Sequence, residues 1–291
     1  MPQHHLDDAV FPAVDSLREE GLEPPHALLL AGTGLGMLTS AITELRSVDL
    51  ADLPGVPAIW QEGLLYSGRL GACSIWMLED APGDLEFGEG GGPERPAWER
   101  SWPVWLGASG GAQVMLHTAA GVALDAAGER EALQPGQLAA LSDHINLSGQ
   151  TPLLGLGETR LGPLFPDQSQ LHHAGLRSRA LAHGSRLGIR IAEAQAACLV
   201  GPSLATPAEL RWLASTGSHV AVQGLAAPLI AAAHAGLSTL ALVAVADSAS
   251  RPLRMAELVQ GADACAPAIE DLIKALAPDV AEVAAELEFE A

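Results

Sequence analysis

The chain has 291 residues and a formal net charge of −20 at pH 7, and 48% of its residues are hydrophobic but only 4% aromatic. This length provides a sizeable core, and so negative a field disfavours nucleic acid, anionic lipid surfaces and free phosphate. We therefore expect no binding to nucleic acid or membranes, and a core of closely packed small aliphatic side chains.

Apolar runs typical of strands alternate along the chain with patterns typical of helices, which predicts an α/β fold. In chain order we predict helix 6–20, strand 27–31, helix 36–44, strands 65–70 and 74–78, helix 97–106, strands 113–117 and 138–141, helix 171–187, strand 196–200, helix 207–216, strand 219–222, helix 226–235, strand 239–245 and helix 264–276.

Residues 79–94, EDAPGDLEFGEGGGPE, are too polar for a core and predict a long acidic, glycine-rich loop. No comparable linker divides the chain, so residues 1–291 are expected to form a single domain. The charged tail after Pro278 is predicted to be a solvated helix end.

Three features bear on the cellular compartment. The first residues, MPQHHLDDAV, lack a basic segment followed by an apolar stretch, which favours a cytoplasmic protein without a secretion signal. Cys73, Cys198 and Cys265 are widely spaced, which favours reduced thiols in the core over disulfides or a zinc site. The most apolar region, residues 219–246, is interrupted by glycine, proline and histidine and predicts strand, helix and strand rather than a membrane span.

The run AGTGLG at 31–36 follows a predicted strand and precedes a predicted helix. Backbone amides and a helix N-terminus at such a place suit an anion, but a tight turn without a ligand explains the same glycines. The run lacks both the GK[ST] of a P-loop and the full GxGxxG spacing.

The run GASGG at 107–111 matches the GxSxG nucleophile elbow, with Asp143 or Asp167 and His173 or His234 downstream. An elbow needs a strand before Ser109 and a helix after it, whereas here a helical stretch precedes the serine and a strand follows. We therefore interpret the run as a glycine turn at a helix C-terminus.

The ten histidines predict no metal site, because the adjacent pairs at 4–5 and 172–173 lack the i,i+4 spacing that places two ligands on one helix face. Histidines within apolar runs are interpreted as core or interface residues. They are His117, His144, His219 and His234.

Six segments, in order and at consistent spacing, resemble the trimeric purine nucleoside phosphorylases over about residues 25–275. They are GTGLG at 32–36, LPGVP at 53–57, TAAG at 118–121, SDHINL at 142–147, GPSLATPAE at 201–209 and HAGL at 234–237. The resemblance implies a single-domain α/β fold with a mixed, partly barrel-like sheet flanked by helices, and a homotrimer. It also implies conversion of a purine nucleoside and inorganic phosphate into base and ribose 1-phosphate, with no other cofactor.

On the phosphate side, the resemblance assigns Thr33 to the family's loop serine and Ala119 to a backbone N–H donor. Thr118 stands where the family has asparagine, and Gly224 where it has a phosphate-binding serine. The arginine and histidine of the family's RFHxYEG-like loop have no counterpart, because the acidic loop at 79–94 occupies that part of the chain.

On the substrate side, the resemblance assigns Ala120, Leu204, Ala205, Gln223 and Asp247. Leu204 and Ala205 replace the phenylalanine and glutamate that hold the purine, and Gln223 replaces a methionine beneath the sugar. Asp247, the candidate catalytic residue, replaces the asparagine that donates to N7, a role an aspartate fills only when protonated.

The phenylalanine that the family lends to the neighbouring subunit falls in a gap between Gly149 and Gln150. These replacements predict a phosphorylase-like protein with weak or lost activity. Two alternatives stay open: a phosphorylase or nucleoside hydrolase of changed specificity on the same scaffold, in which Asp247, Thr33, Gln223 and a rearranged acidic loop form a new site, or a ligand-binding or interaction protein. In the last case the tryptophan-rich stretch 98–105 and its acidic neighbour form a contact surface, although these tryptophans fit a core equally well.

Overall fold

The computed structural model describes residues 5–32, 35–79, 96–125 and 132–290. Its described strands are β1 (Ala27–Ala31), β2 (Thr43–Asp49), β3 (Leu64–Leu70), β4 (Cys73–Glu79), β5 (Val114–Ala123), β6 (Leu138–Asn146), β7 (Ile191–Leu199), β8 (Val220–Gln223) and β9 (Ser238–Ser248). Its described α-helices are α1 (Leu6–Glu19), α2 (Trp102–Gly110), α3 (Ala174–Leu187), α4 (Pro207–Ser215), α5 (Ala226–His234) and α6 (Met255–Glu290).

All these strands belong to one mixed sheet, in the order β2-β3-β4-β1-β5-β8-β7-β6-β9. β5 lies along β9 for its whole length, and its other edge pairs first with β1 and then with β8. Because β9 also pairs with β6, the strands β5, β8, β7, β6 and β9 close into a five-stranded barrel. The remaining strands extend from β5 as an open arm, and this confirms the predicted α/β fold with a partly barrel-like sheet.

The predicted helix at 36–44 is wrong. A short 3₁₀ helix at Gly36–Ala41 is followed directly by β2, which pairs antiparallel with β3 across a bulge between Thr43 and Arg46. Of the side chains of β2, all but Val48 are exposed, so this edge strand lacks the alternation of apolar and polar residues that identifies a strand.

The C-terminal helix is longer than predicted, and the prediction of a solvated helix end after Pro278 is confirmed only in part. α6 is a 36-residue helix that continues through Pro267 and Pro278. Val280, Val283 and Ala284, which follow the second proline, are buried. Their helical spacing continues the apolar stripe that packs on the sheet and on α3, and this packing outweighs the hydrogen bonds that the prolines remove.

Hydrophobic cores lie on both faces of the sheet. Successive residues of β9 alternate between them, because side chains along a strand point to opposite faces. Ala241, Val243 and Val245 belong to the core shared with α1, α2 and α5, while Leu240, Leu242 and Ala244 belong to the core covered by α3 and α6. Small aliphatic residues of this kind pack the barrel, as the composition predicts.

The three cysteines are buried and free, which confirms them as small core residues. Burial raises the pKa of the Cys73 and Cys198 thiols to about 12. Neither is a thiolate at neutral pH.

The tryptophans of residues 98–105 are core residues, so their interpretation as a contact surface is wrong. The relative exposures of Trp98, Trp102 and Trp105 are 3%, 0% and 0%. The indole N–H of Trp102 donates to the carbonyl of Ala9 at 3.0 Å, and that of Trp105 donates to Nδ1 of His234 at 3.0 Å. Buried indoles need such acceptors.

Acid is expected to destabilise the fold through His234. Burial lowers the pKa of this imidazole below its ordinary value of 6.5. Above pH 6.5 the ring is neutral in both the folded and the unfolded protein. Below pH 6.5 the unfolded chain takes up the proton more readily than the folded protein does, so the free energy of unfolding decreases as the pH is lowered. Urea unfolding at about pH 7.5 and about pH 5.5 measures this fall, which should be smaller in His234→Gln. An equal fall in both proteins would contradict the assignment to His234.

Candidate functional site

A cavity of about 180 Å³ lies where β5, β7 and β8 meet the first turns of α6. The loop before α4 closes another side of it through Leu204 and Ala205. Among the described lining residues none is charged, and Gln223 alone has a polar side chain. The cavity therefore suits an apolar or aromatic ligand of small size, with one amide available for orientation.

Four of the substrate-side residues named from the sequence line this cavity: Ala120, Leu204, Ala205 and Gln223. They come from distant segments, which the closure of the barrel brings together. The side-chain amide of Gln223 donates to the backbone carbonyl of Ser203 at 2.7 Å, and this contact fixes the Gln223 side chain against the loop that carries Leu204.

The loop before α4 is held by a capping box. The amide N–H of Glu209 donates to the Thr206 hydroxyl at 3.3 Å, and the Glu209 carboxylate accepts from the amide of Thr206 at 2.6 Å. The hydrogen bond from the Thr206 amide also lowers the pKa of Glu209. This carboxylate is engaged in the helix cap, so it does not replace the glutamate missing at Ala205.

The phosphate-side residues are placed as follows. The Thr118 hydroxyl accepts from the amide of Gly32 at 2.7 Å, which fastens the loop after β1 to β5. A Cβ on Gly32 would lie 2.5 Å from the Thr118 carbonyl oxygen, so this approach requires glycine. Ala119 is half-buried, Gly224 follows β8 with φ 74°, and Thr33 lies outside the described residues. The acidic loop lies outside them too, apart from Glu79 at the end of β4.

Asp247 is fully buried near the end of β9 and forms an ion pair with Arg251. Its Oδ1 accepts from Nε of Arg251 at 2.6 Å and from the amide of Ser248 at 2.8 Å. The hydrogen bond and charge of Asp247 raise the pKa of Arg251. A second nitrogen of the Arg251 guanidinium lies 3.1 Å from the carboxylate of Glu257. In this pair the Asp247 carboxylate is an acceptor, which is opposite to the donor role that N7 of a purine requires.

Sequence reasoning missed Arg251 and the wall that α6 contributes. Four residues that precede the predicted helix 264–276 belong to α6 and line the cavity at helical spacing: Met255, Leu258, Val259 and Ala262. The contact of Arg251 with Asp247 depends on the turn after β9, so no periodicity indicates it.

The GxSxG run is the C-terminal turn of α2, as predicted. Ser109 lies inside the helix, which ends at Gly110 and is capped by Gly111 with φ 128°. The Ser109 hydroxyl has no hydrogen-bond partner among the described residues. Two of the suggested partners are engaged elsewhere: the amide of Leu176 donates to Nδ1 of His173, and Asp167 accepts from Ser169. The described residues thus assemble no catalytic triad around Ser109.

In the described part of the chain, no helix combines the length and the apolar character needed to cross a membrane.

Comparison with known proteins identifies the family. The sequence pattern of the Phosphorylase superfamily matches residues 33–278. Purine nucleoside phosphorylase 1 of Geobacillus stearothermophilus is 28% identical over 283 residues, which cover 94% of this chain and 98% of the relative.

Solved structures share the fold. Isoform 2 of purine nucleoside phosphorylase from Schistosoma mansoni, in complex with cytosine and ribose-1-phosphate, superposes with a TM-score of 0.79 at 22% identity and covers 94% of this chain and 96% of its own. A schistosoma purine nucleoside phosphorylase in complex with hypoxanthine gives 0.80 at 18% identity and covers 95% and 98%. Because the family pattern matches residues 33–278 and the solved structures share the fold, the chain belongs to the phosphorylase superfamily.

Proposed function

We propose that this protein binds a purine nucleoside or a related small molecule in the cavity, and that it catalyses phosphorolysis weakly or not at all. The observation that carries the proposal is the uncharged lining, in which Leu204 and Ala205 stand where the resemblance places the purine-holding phenylalanine and glutamate. The relatives named purine nucleoside phosphorylases support the nucleoside as the ligand class.

The expected loss of activity follows from the base side of the site. The departing purine gains negative charge, and the enzyme must stabilise it with hydrogen bonds. Ala205 cannot provide one, and Asp247 is paired as an acceptor with Arg251. Two lost hydrogen bonds of about 1.5–3 kcal/mol each correspond to about 10²–10⁴-fold in rate.

The test is an assay of the purified protein with inosine, guanosine and adenosine plus phosphate, beside the Geobacillus stearothermophilus relative. We expect base release at least about 10²-fold slower than the relative's, together with measurable nucleoside binding by calorimetry. Ala205→Trp fills the cavity and should abolish binding, whereas Ala208→Trp, at an exposed position of α4, should retain it. Turnover near the relative's rate would reject the proposal.

One observation favours a second candidate, nucleoside hydrolysis. Oδ2 of Asp247 is buried and has no hydrogen-bond partner among the described residues, so it is an acceptor that can orient a water. Release of free base without added phosphate, lost in Asp247→Ala, supports this candidate. The absence of phosphate-independent release excludes it.

The homotrimer and inorganic phosphate as co-substrate stay predictions of the resemblance. The cytoplasmic location stays a prediction from the first residues and from the spacing of the cysteines. Sedimentation of the purified protein measures the oligomeric state, and the phosphate dependence of any base release tests the co-substrate.

A further inference from the structure

Two histidines and an aspartate come together away from the cavity. Nδ1 of His144 lies 3.1 Å from Nε2 of His172, and one oxygen of Asp143 completes a group whose ligand atoms all lie within 4.8 Å of one another. None of these residues lines the cavity or takes part in the proposed nucleoside chemistry.

A local hydrogen bond turns the Asp143 carboxylate toward His144. Consecutive side chains of a strand point to opposite faces, and Asp143 and His144 pair in regular register with Gln195 and Ala196 of β7. The Asp143 carboxylate, however, accepts from the backbone amide of its neighbour His144 at 2.7 Å through Oδ1, and this bond holds it on the side of the imidazole.

His172 is held by the edge of β9. It forms an isolated parallel bridge with Thr239, and the amide of His173 donates to the Thr239 carbonyl at 2.9 Å. Arg177 donates to the carbonyl of His172 at 3.2 Å and forms an ion pair with Glu193, so its own charge is compensated. Both imidazoles are therefore carried by backbone that the sheet already fixes.

We propose that Asp143, His144 and His172 form a binding site for a divalent transition metal of the zinc class. Two imidazoles and one carboxylate are a ligand set that zinc accepts, with the fourth position open to water. Zn–N bonds of about 2.0–2.1 Å at a tetrahedral angle place the nitrogens about 3.4 Å apart, close to the separation already present. The net charge of −20 further favours a cation.

The bound metal links β6 to the segment before α3, 28 residues further along the chain, and closes the intervening loop. It therefore stabilises the fold and leaves the nucleoside cavity untouched. This proposal does not depend on the proposed function, because its readouts are metal affinity and unfolding.

Zinc titration of tag-free, chelator-treated protein tests the site, with competition by a chromogenic chelator as the readout. We expect one Zn²⁺ per chain, and an affinity at least about 100-fold weaker in His144→Gln/His172→Gln. Asp143→Asn should weaken binding to a smaller degree. Zinc should raise the unfolding temperature of the wild type but not that of the double variant.

Two control variants test whether zinc binds at histidines outside the proposed site. His4→Gln/His5→Gln removes the adjacent histidines near the N-terminus, and His183→Gln removes a histidine that contacts Asp279 at 2.7 Å without a second histidine. Both should bind zinc as the wild type does, and circular dichroism confirms that each variant is folded. Absence of saturable binding, equal affinity in the double variant, or a thiolate charge-transfer band with Co²⁺ would each overturn the proposal.

Discussion

Trp105→Ala is expected to lower the free energy of unfolding by about 3–5 kcal/mol. Trp105 has no exposed surface, belongs to the core shared by α1, α2 and α5, and donates its indole N–H to His234. Truncation leaves a cavity in that core and removes the only donor recorded to Nδ1 of His234 among the described residues. The cavity and the lost hydrogen bond both lower the free energy of unfolding.

Chemical denaturation at fixed protein concentration measures the change. The chain offers a matched control in Trp212→Ala, because Trp212 on α4 is 57% exposed. There the same substitution should cost less than about 1 kcal/mol. Similar losses at the two positions would show that Trp105 is not the core residue described above.

Gly261→Ala is expected to destabilise the protein by about 2–3 kcal/mol, even after the gain of about 1 kcal/mol in helix propensity. A Cβ at this position of α6 would lie 2.1 Å from the carbonyl oxygen of Ala246 on β9. Because the clash is with backbone, no rotamer relieves it, and α6 must move away from the sheet. The displacement would also shift Met255 and Val259, which line the cavity.

The control is Gly175→Ala in α3, where a Cβ would approach only the ring of His173, at 3.0 Å. That variant should change the free energy of unfolding by less than about 1 kcal/mol. If Gly261→Ala were as stable as Gly175→Ala, α6 could not lie against β9 at the described distance. Nucleoside affinity of both variants reports whether the wall of the cavity has moved.

The strands that are buried on both faces are the easiest to predict from the sequence. β1 and β4 are continuous apolar runs, so the sequence predicts both strands and places their bounds within one residue. β2 was missed because six of its seven side chains are exposed and only its pairing with β3 makes it a strand. The sequence predicts a shorter α6 because prolines usually end a helix, whereas here tertiary packing keeps the helix continuous through them.

The site was predictable only in part. Ala120, Leu204, Ala205 and Gln223 were named through the family resemblance, and no periodicity indicated that they would share one cavity. The pair of Asp247 with Arg251 depends on the turn after β9, and the approach of His144 to His172 joins residues 28 positions apart. Spacing rules consider neighbours along one helix or strand, so they do not detect contacts between residues of different elements.

The pairing of β5 with strands of both parts of the sheet bears on how cooperatively the protein unfolds. One of its edges is occupied by β9, and the other is divided between β1 of the open arm and β8 of the barrel. Neither part of the sheet can come apart without breaking hydrogen bonds of this shared strand. We therefore expect the arm and the barrel to melt as a single cooperative unit, and the amides of β5 to exchange with solvent only when the whole molecule unfolds.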